Sequence, residues 1–379
     1  MSSRKKLGTI VNSEILDFPC SPWSFTNMSR SRWRSVKEIR IADVARLAGV
    51  STATVSRVLA TPEQVRPKTH ALVMDAVRRS GYTPNSVARN LRTRRTMTVL
   101  AVVPNLANPV FAQILRGIDD ELTQSGYGIV IGSLDNCQDR EARYVDLTLS
   151  QQFDGVLLMN GRIPESGRRS MSEAGVPMVA ICAAIPNAQI PSVVVQDREG
   201  SREAARHLVG LGHRRLGYIS GPTGNVIETE RFQGFLEGAQ QAGLPRRAVT
   251  RWEGRFVFAA GEAAAASFLQ MKNRPTGVFG ASDESAIGFL KAIRSAGLRV
   301  PNDVSVMGFD GIEFASYVEP ALTTLQQPLY QLGQAGAREI LRSMSSKPRP
   351  SDSQVRLPLQ LLHRGTTGLA PSRRSSTLK

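Results

Sequence analysis

Apolar residues recur at helical spacing through Ile41, Val44, Ala45 and Ala48, which predicts a short amphipathic helix. Gly49 then interrupts the pattern, as a residue just past a helix end does. Ser51 is a good N-cap for a second helix, in which Val55, Val58 and Leu59 point inward while Thr52, Ala53, Ser56 and Arg57 point outward. Pro67 opens a third helix and Gly81 stands past its end, the usual asymmetry. Ala71, Met74 and Val77, with neighbouring Leu72 and Val73, are expected to complete a three-helix core. The following stretch, TPNSVARNLRTRRT (83–96), holds one or two helical turns after Ser86 and is too short to be stable alone. It reads as a linker that orders on binding.

From Met97 the texture changes. Apolar runs predict strands at Val99–Pro104, Tyr127–Leu134, Phe153–Asn160, Val176–Cys182, Val193–Gln196, Arg215–Ser220, Gly277–Ala281 and Val304–Phe309. Amphipathic segments predict helices at Pro109–Ser125, Asp139–Gln152, Glu199–Leu211, Glu228–Ala242, Ala259–Met271 and Glu284–Ala296. Near-continuous apolar strands between helices imply parallel sheets covered on both faces. About 260 residues of this texture exceed one ordinary sheet, so two α/β lobes are expected. In such folds ligands bind at the carboxyl ends of the strands, here the cleft between lobes.

Charge sharpens the first segment. The chain carries a net +16, and residues 1–95 hold 18 Lys+Arg against 6 Asp+Glu. Residues 96–379 are close to balanced, with 30 against 26. No carboxylate lies between Ala45 and Thr61, as suits a helix facing phosphates. The helix–Gly–helix pattern is therefore read as a helix-turn-helix whose second helix enters a DNA major groove. A solvated basic tail accounts for Arg4, Lys5 and Lys6. Residues 1–38, rich in Ser, Arg and Lys, are read as a disordered basic extension, and whether translation starts at Met1 or Met28 stays open.

The 379 residues, 41% hydrophobic, suffice for two or three domains with real cores. Cys20, Cys137 and Cys182 are too few and too scattered for a disulfide framework, and no Cys/His cluster suggests a metal. No run is apolar enough to span a membrane, and Ile10–Phe18 is too polar for a signal sequence. The expectation is a cytoplasmic, nucleoid-associated protein with no cofactor. Four histidines without a Ser/His/Asp or Cys/His arrangement give no active site, so no enzymatic activity is expected. His213, in LGHRR, is read as a structural hydrogen-bonder and His207 as non-catalytic.

Several stretches resemble the lactose/galactose repressor family of bacterial transcriptional regulators: ADVARLAGVSTATVSRVL, GYTPNSVARNLRTRRT, LGHRRLGYISGP, RFQGF, VSVMGFDG and PALTTLQQP. They occur in the family's order and spacing, from about Ile39 to about Gly365. Within the family, STATVSR, ILRGI and RFQGF look most like the cytidine-responsive repressor, with the purine repressor a more distant relation. The resemblance implies a helix-turn-helix headpiece (39–83), a hinge helix or linker (84–96), a two-lobed core shaped like periplasmic binding proteins (97–365) and a disordered tail (366–379). It also implies a homodimer on double-stranded palindromic operator DNA, controlled by a small-molecule effector, a nucleoside or sugar, bound between the lobes. The tail has no leucine heptads, so a dimer rather than a tetramer is expected. A periplasmic-type binding protein and an α/β enzyme are the rivals. The first conflicts with the headpiece and the missing signal sequence, the second with the absence of catalytic groups.

By the same resemblance, Thr52, Ala53 and Arg57 match base-reading positions. Arg57 offers a fork to guanine, while Thr52 and Ala53 touch a thymine methyl. Ser51, Thr54, Ser56 and Thr69 match phosphate-bonding positions, though Ser51 also serves as a cap. Asn85, Ala88, Arg89 and Leu91 lie on the hinge. There Leu91 either wedges into the minor groove or packs against protein. In the cleft, Arg231 and Asp310 match the main polar effector contacts, Phe256 a ring-stacking position and Ser282 a further polar contact. Asp283 is read as an N-cap. Asn108, Val110 and Phe111 begin the first core helix and face either the cleft or the core. Cys182 stands where many relatives have Asp or Asn, and Ile227 where some have a hydroxyl.

Overall fold

The computed structural model describes residues 39–83, 95–345 and 353–371. The expectations for 1–38 and for the hinge residues Asn85, Ala88, Arg89 and Leu91 fall outside these residues. The chain divides into two units, 1–95 and 96–379.

In the first unit, α1 (Ile41–Ala48), α2 (Thr52–Ala60) and α3 (Pro67–Ser80) close around Val44, Ala45, Val55, Val58, Val73 and Ala76. Gly49 adopts φ 64°, a left-handed conformation that any Cβ would strain, and this makes the tight turn between α1 and α2. The Ser51 hydroxyl caps α2 by accepting the Thr54 N–H at 3.1 Å. Two expectations for α3 fail, since Ala71 is exposed and Leu72 is 51% exposed. The inward stripe runs instead through Val73, Ala76 and Val77, so a continuous apolar run had hidden its phase.

The second unit begins one residue earlier than expected. Thr96 is held by the Asp154 carboxylate through its backbone N–H at 2.8 Å and its hydroxyl at 2.9 Å. The first part of the chain runs β1 (Thr98–Val103), α4 (Pro109–Gln124), β2 (Gly128–Ser133), α5 (Gln138–Leu149) and β3 (Gly155–Leu158). A small hairpin, β4 (Glu165–Ser166) and β5 (Arg169–Ser170), precedes β6 (Met178–Cys182), β7 (Ser192–Val195) and α6 (Asp197–Gly210). There follow β8 (Leu216–Ile219), α7 (Val226–Gln241), β9 (Val249–Trp252), α8 (Phe258–Gln270), β10 (Gly277–Gly280) and α9 (Asp283–Ser295). The chain closes with β11 (Ser305–Asp310), α10 (Phe314–Tyr317), β12 (Thr323–Gln326), α11 (Leu329–Ser343), β13 (Gln354–Leu357) and β14 (Gln360–Leu362).

These strands make two six-stranded sheets, in the orders β13-β7-β6-β3-β1-β2 and β14-β12-β11-β10-β8-β9. Every pairing in them is parallel except β12–β14, as the apolar texture of the strands predicted. Each sheet with its helices is one lobe, and the chain passes between lobes at three places among the described residues. These are Gln196 after β7, Gln327–Pro328 after β12, and residues 358–359 between β13 and β14. Beyond Phe309 the sequence reading assigned no element. Thus α11, which returns to pack on α4 in the first lobe, was not anticipated, nor were the two strands that follow it. The expected disordered tail starts too early. Thr366 is fully buried and accepts the Thr323 N–H at 2.8 Å, and Ala370 donates to the Leu211 carbonyl at 2.8 Å, so the fold extends through these residues.

Candidate functional site

On α2, the side chains of Thr52, Ala53 and Arg57 are exposed, while Val55 and Val58 are buried. The exposed face of α2 thus carries small groups at the start of the helix and a guanidinium one turn on. Ser56 is half-buried, as is Thr69 in the first turn of α3. The Ser51 and Thr54 hydroxyls lie 2.9 Å apart and bond one another, so two of the expected phosphate-bonding groups also brace the cap.

In the second lobe, Arg231 on α7 is 4% exposed. Its Nε donates to Asp197 Oδ1 at 2.7 Å, and its Nη1 donates to the Ala281 carbonyl at 2.5 Å and Asp310 Oδ1 at 3.3 Å. The guanidinium lies 3.6 Å over the Phe309 ring and 5.6 Å from the centre of Phe256. Gln327 Nε2 donates to the same Asp310 oxygen at 2.7 Å. Burial alone would favour neutral acids here, and it raises both Asp197 and Asp310 despite Arg231, Asp310 to about 6. Glu284 is pushed up to about 7, by burial and then by Asp310. The Cys182 thiol rises to about 12 through burial and the nearby Asp197.

Backbone strain gathers at the same place. Cys182 at φ 74°, Phe256 at φ 59° and Asp310 at φ 120° lie in the region that L residues rarely adopt. The Phe256 ring covers Gly221, where a Cβ would come within 2.1 Å of it. A cavity of about 530 Å³ reaches this cluster at Asp197 and Cys182 and is lined from both lobes, by Ala183, Ile185 and Ile227 among others. Arg231 and Asp310 do not line it themselves and meet it through Asp197, which holds Arg231.

The structure therefore brings together Arg231, Asp310 and Phe256, and separates the other expected effector contacts. Phe111 is buried in the core of the first lobe, because α4 turns its apolar stripe onto the sheet. The Asn108 carboxamide caps α4 by accepting the Val110 N–H at 2.9 Å. Ser282 stands beside the site, but its hydroxyl caps α9 by accepting the Ser285 N–H at 3.2 Å. The cap is thus Ser282, not Asp283. Asp283 is fully buried and accepts from the Ile312 N–H at 2.8 Å and the Thr324 hydroxyl at 2.5 Å. Val110 packs on the cores of both lobes, and Ile227 packs on that of the first, so these apolar residues form the contact across the cleft. His213 bonds Thr276 at 2.9 Å and Ser305 at 3.0 Å, the structural part expected of it.

Asp197, Gln327 and Phe309 went unread in the sequence. A signal existed for Asp197, which directly follows the apolar run read at Val193–Gln196, where parallel sheets present polar groups to ligands; Gln327 follows TTLQ, which carries no apolar run.

A helix-turn-helix unit followed by a two-lobed parallel α/β unit defines a DNA-binding regulator with a ligand-binding core. Residues 40–85 match the family model for bacterial regulatory proteins of the lacI family, and residues 205–367 match that of the periplasmic binding protein-like domain. Catabolite control protein A of Priestia megaterium is 33% identical over 330 residues, 87% of this chain and 99% of its own. The HTH-type transcriptional repressor CytR of Escherichia coli (strain K12) is 33% identical over 329 residues, covering 87% and 96%. A structure of the Lac repressor dimer bound to operator and the anti-inducer ONPF superposes with a TM-score of 0.76 at 28% identity, over 88% of this chain and 100% of that one. The chain belongs to the lacI family: it is a transcriptional regulator, not an enzyme. Among the described residues no helix is long and apolar enough to cross a membrane.

Proposed function

We propose that this regulator binds a palindromic operator as a homodimer and represses transcription on the nucleoid, in the cytoplasm. Thr52, Ala53 and Arg57 read base edges, and Ser51, Thr54, Ser56 and Thr69 hold phosphates. A neutral, hydroxyl-rich effector, a nucleoside or sugar, enters the cavity between the lobes and engages the Asp197–Arg231–Asp310 group, with Phe256 against its ring.

One observation carries this reading of the effector. Arg231, the single cation in the buried group, is already matched by two carboxylates and a carbonyl, with Glu284 close enough to Asp310 to be raised by it. At this inner group an anionic phosphate would meet carboxylates whose one guanidinium is already matched, since the cavity's other arginines, Arg198 and Arg356, stand outside it. Hydroxyls donate to carboxylates and accept from arginine, so a polyol replaces the existing bonds one for one.

The test is operator release in the presence of cytidine, adenosine, ribose and cellobiose, against ribose 5-phosphate. Release by a neutral compound and none by the phosphate ester is expected. Equal affinity for operator and random duplex at matched salt would sink the DNA reading, and release by the ester alone would sink the effector class.

A further inference from the structure

Two of the three chain crossovers between lobes end on side chains of one buried group. Asp197, the first residue of α6, immediately follows the crossover at Gln196 and holds Arg231 Nε at 2.7 Å. Gln327 is itself the second crossover. Its Nε2 donates to Asp310 Oδ1 at 2.7 Å, and its backbone N–H donates to the Asp310 carbonyl at 3.0 Å. Arg231 and Asp310 then meet at 3.3 Å. The result is a continuous chain, Asp197–Arg231–Asp310–Gln327, in which Asp197 and Gln327 are 8% and 7% exposed. The third crossover is different in kind: Leu359 packs on apolar cores of both lobes, without a charged partner.

We infer that Asp197 and Gln327 are positioning residues that clasp two interlobe crossovers to the Arg231–Asp310 pair. Whatever draws on Arg231 or Asp310 therefore acts on both crossovers together. The clasp stands on geometry alone; only the identity of what draws on it rests on the effector reading above. The physical reason is the low dielectric. A buried carboxylate cannot trade a lost donor for water, so displacement at one member is passed to the next.

The test is amide hydrogen exchange on the full-length chain, comparing the unchanged protein with Gln327→Leu and Asp197→Asn. The reporters are the Gly200 amide, bonded to Gln196, and the Leu332 amide, bonded to Pro328. Gln327→Leu should speed exchange at Leu332 and also at Gly200, which Gln327 does not touch. Asp197→Asn should do the converse. About tenfold is expected at the remote site, the size of one lost hydrogen bond to a charged group. Amides of 357–361, at the third crossover, should not change. If each variant alters only its own crossover, the inference is overturned; either variant suffices should the other fail to fold. Calorimetry with cytidine, ribose and cellobiose runs alongside. Failure of all three to bind counts against the effector reading and leaves the exchange result intact.

Discussion

Arg57 and Arg231 are two arginines of one chain under opposite conditions. Arg57 is exposed on α2, and its guanidinium makes no ion pair among the described residues. Its donors are kept in water, where an unpartnered guanidinium costs little, and so stay available to a base edge or phosphate. Arg231 is buried, and its bonds are spent on Asp197, Ala281 and Asp310 with Phe309 beneath. Taking those charges out of water is costly, and the mutual bonds only offset it. The first arrangement leaves donors free, as the proposed base contact needs. The second holds its bonded donors in a balance, on which the proposed effector would act.

The sharpest way to break this comparison is to remove each guanidinium. Arg231→Ala strands two buried carboxylates and should lower unfolding stability by about 3–5 kcal/mol in a denaturant titration. Loss below 1 kcal/mol would mean that water reaches the pair. Arg57→Ala should leave the melting temperature almost unchanged yet weaken operator binding by roughly 1–3 kcal/mol, with relaxed preference at one base pair. A uniform loss on all duplexes would make Arg57 a phosphate contact instead.

Glu284→Gln sharpens the contrast through pH. The carboxyl titrates near 7 in the folded protein against 4.5 ordinarily, so the folded state binds its proton more tightly than the unfolded chain. Its contribution to stability is present below about 4.5 and is lost as pH rises through about 7. The variant should therefore be more stable than the parent at pH 8, by roughly 1–3 kcal/mol, and match it near pH 4.5. A stability difference that does not vary with pH would show that Glu284 is solvated. The smallest effect is expected at the cap. Ser51→Ala should destabilise the three-helix unit by about 1 kcal/mol, read as faster amide exchange at Thr54. No change would show that Ser51 serves the phosphate alone.

The headpiece was readable because its rules are local. Helix phase, the left-handed turn at Gly49 and the cap at Ser51 are set by residues a few positions apart, and outward side chains follow from the phase of the inward ones. Only the flank of α3 misled, where apolar Ala71 and Leu72 adjoin the inward stripe. Most parallel strands from Val99 to Phe309 were equally plain, since burial on both faces leaves an apolar run in the chain; the edge strand β9, only partly buried, has no such run and was not read. Arg231 and Asp310 were reachable through resemblance. Their partners were not, because Asp197, Arg231, Asp310 and Gln327 come from four separate segments, and sequence spacing says nothing about which strand ends meet.

Composition, periodicity and turn chemistry thus determined most elements up to Phe309, the charge asymmetry and the outward face of α2. Tertiary structure decided which candidate residues were already spent: Asn108 and Ser282 on helix caps, Phe111 on the core, Asp283 on the loop after β11. It also decided which were bound to one another around Arg231. The physical reason is that a polar side chain carries the same donors and acceptors wherever it stands. Only the packed fold, by excluding water, fixes the one partner each of them keeps.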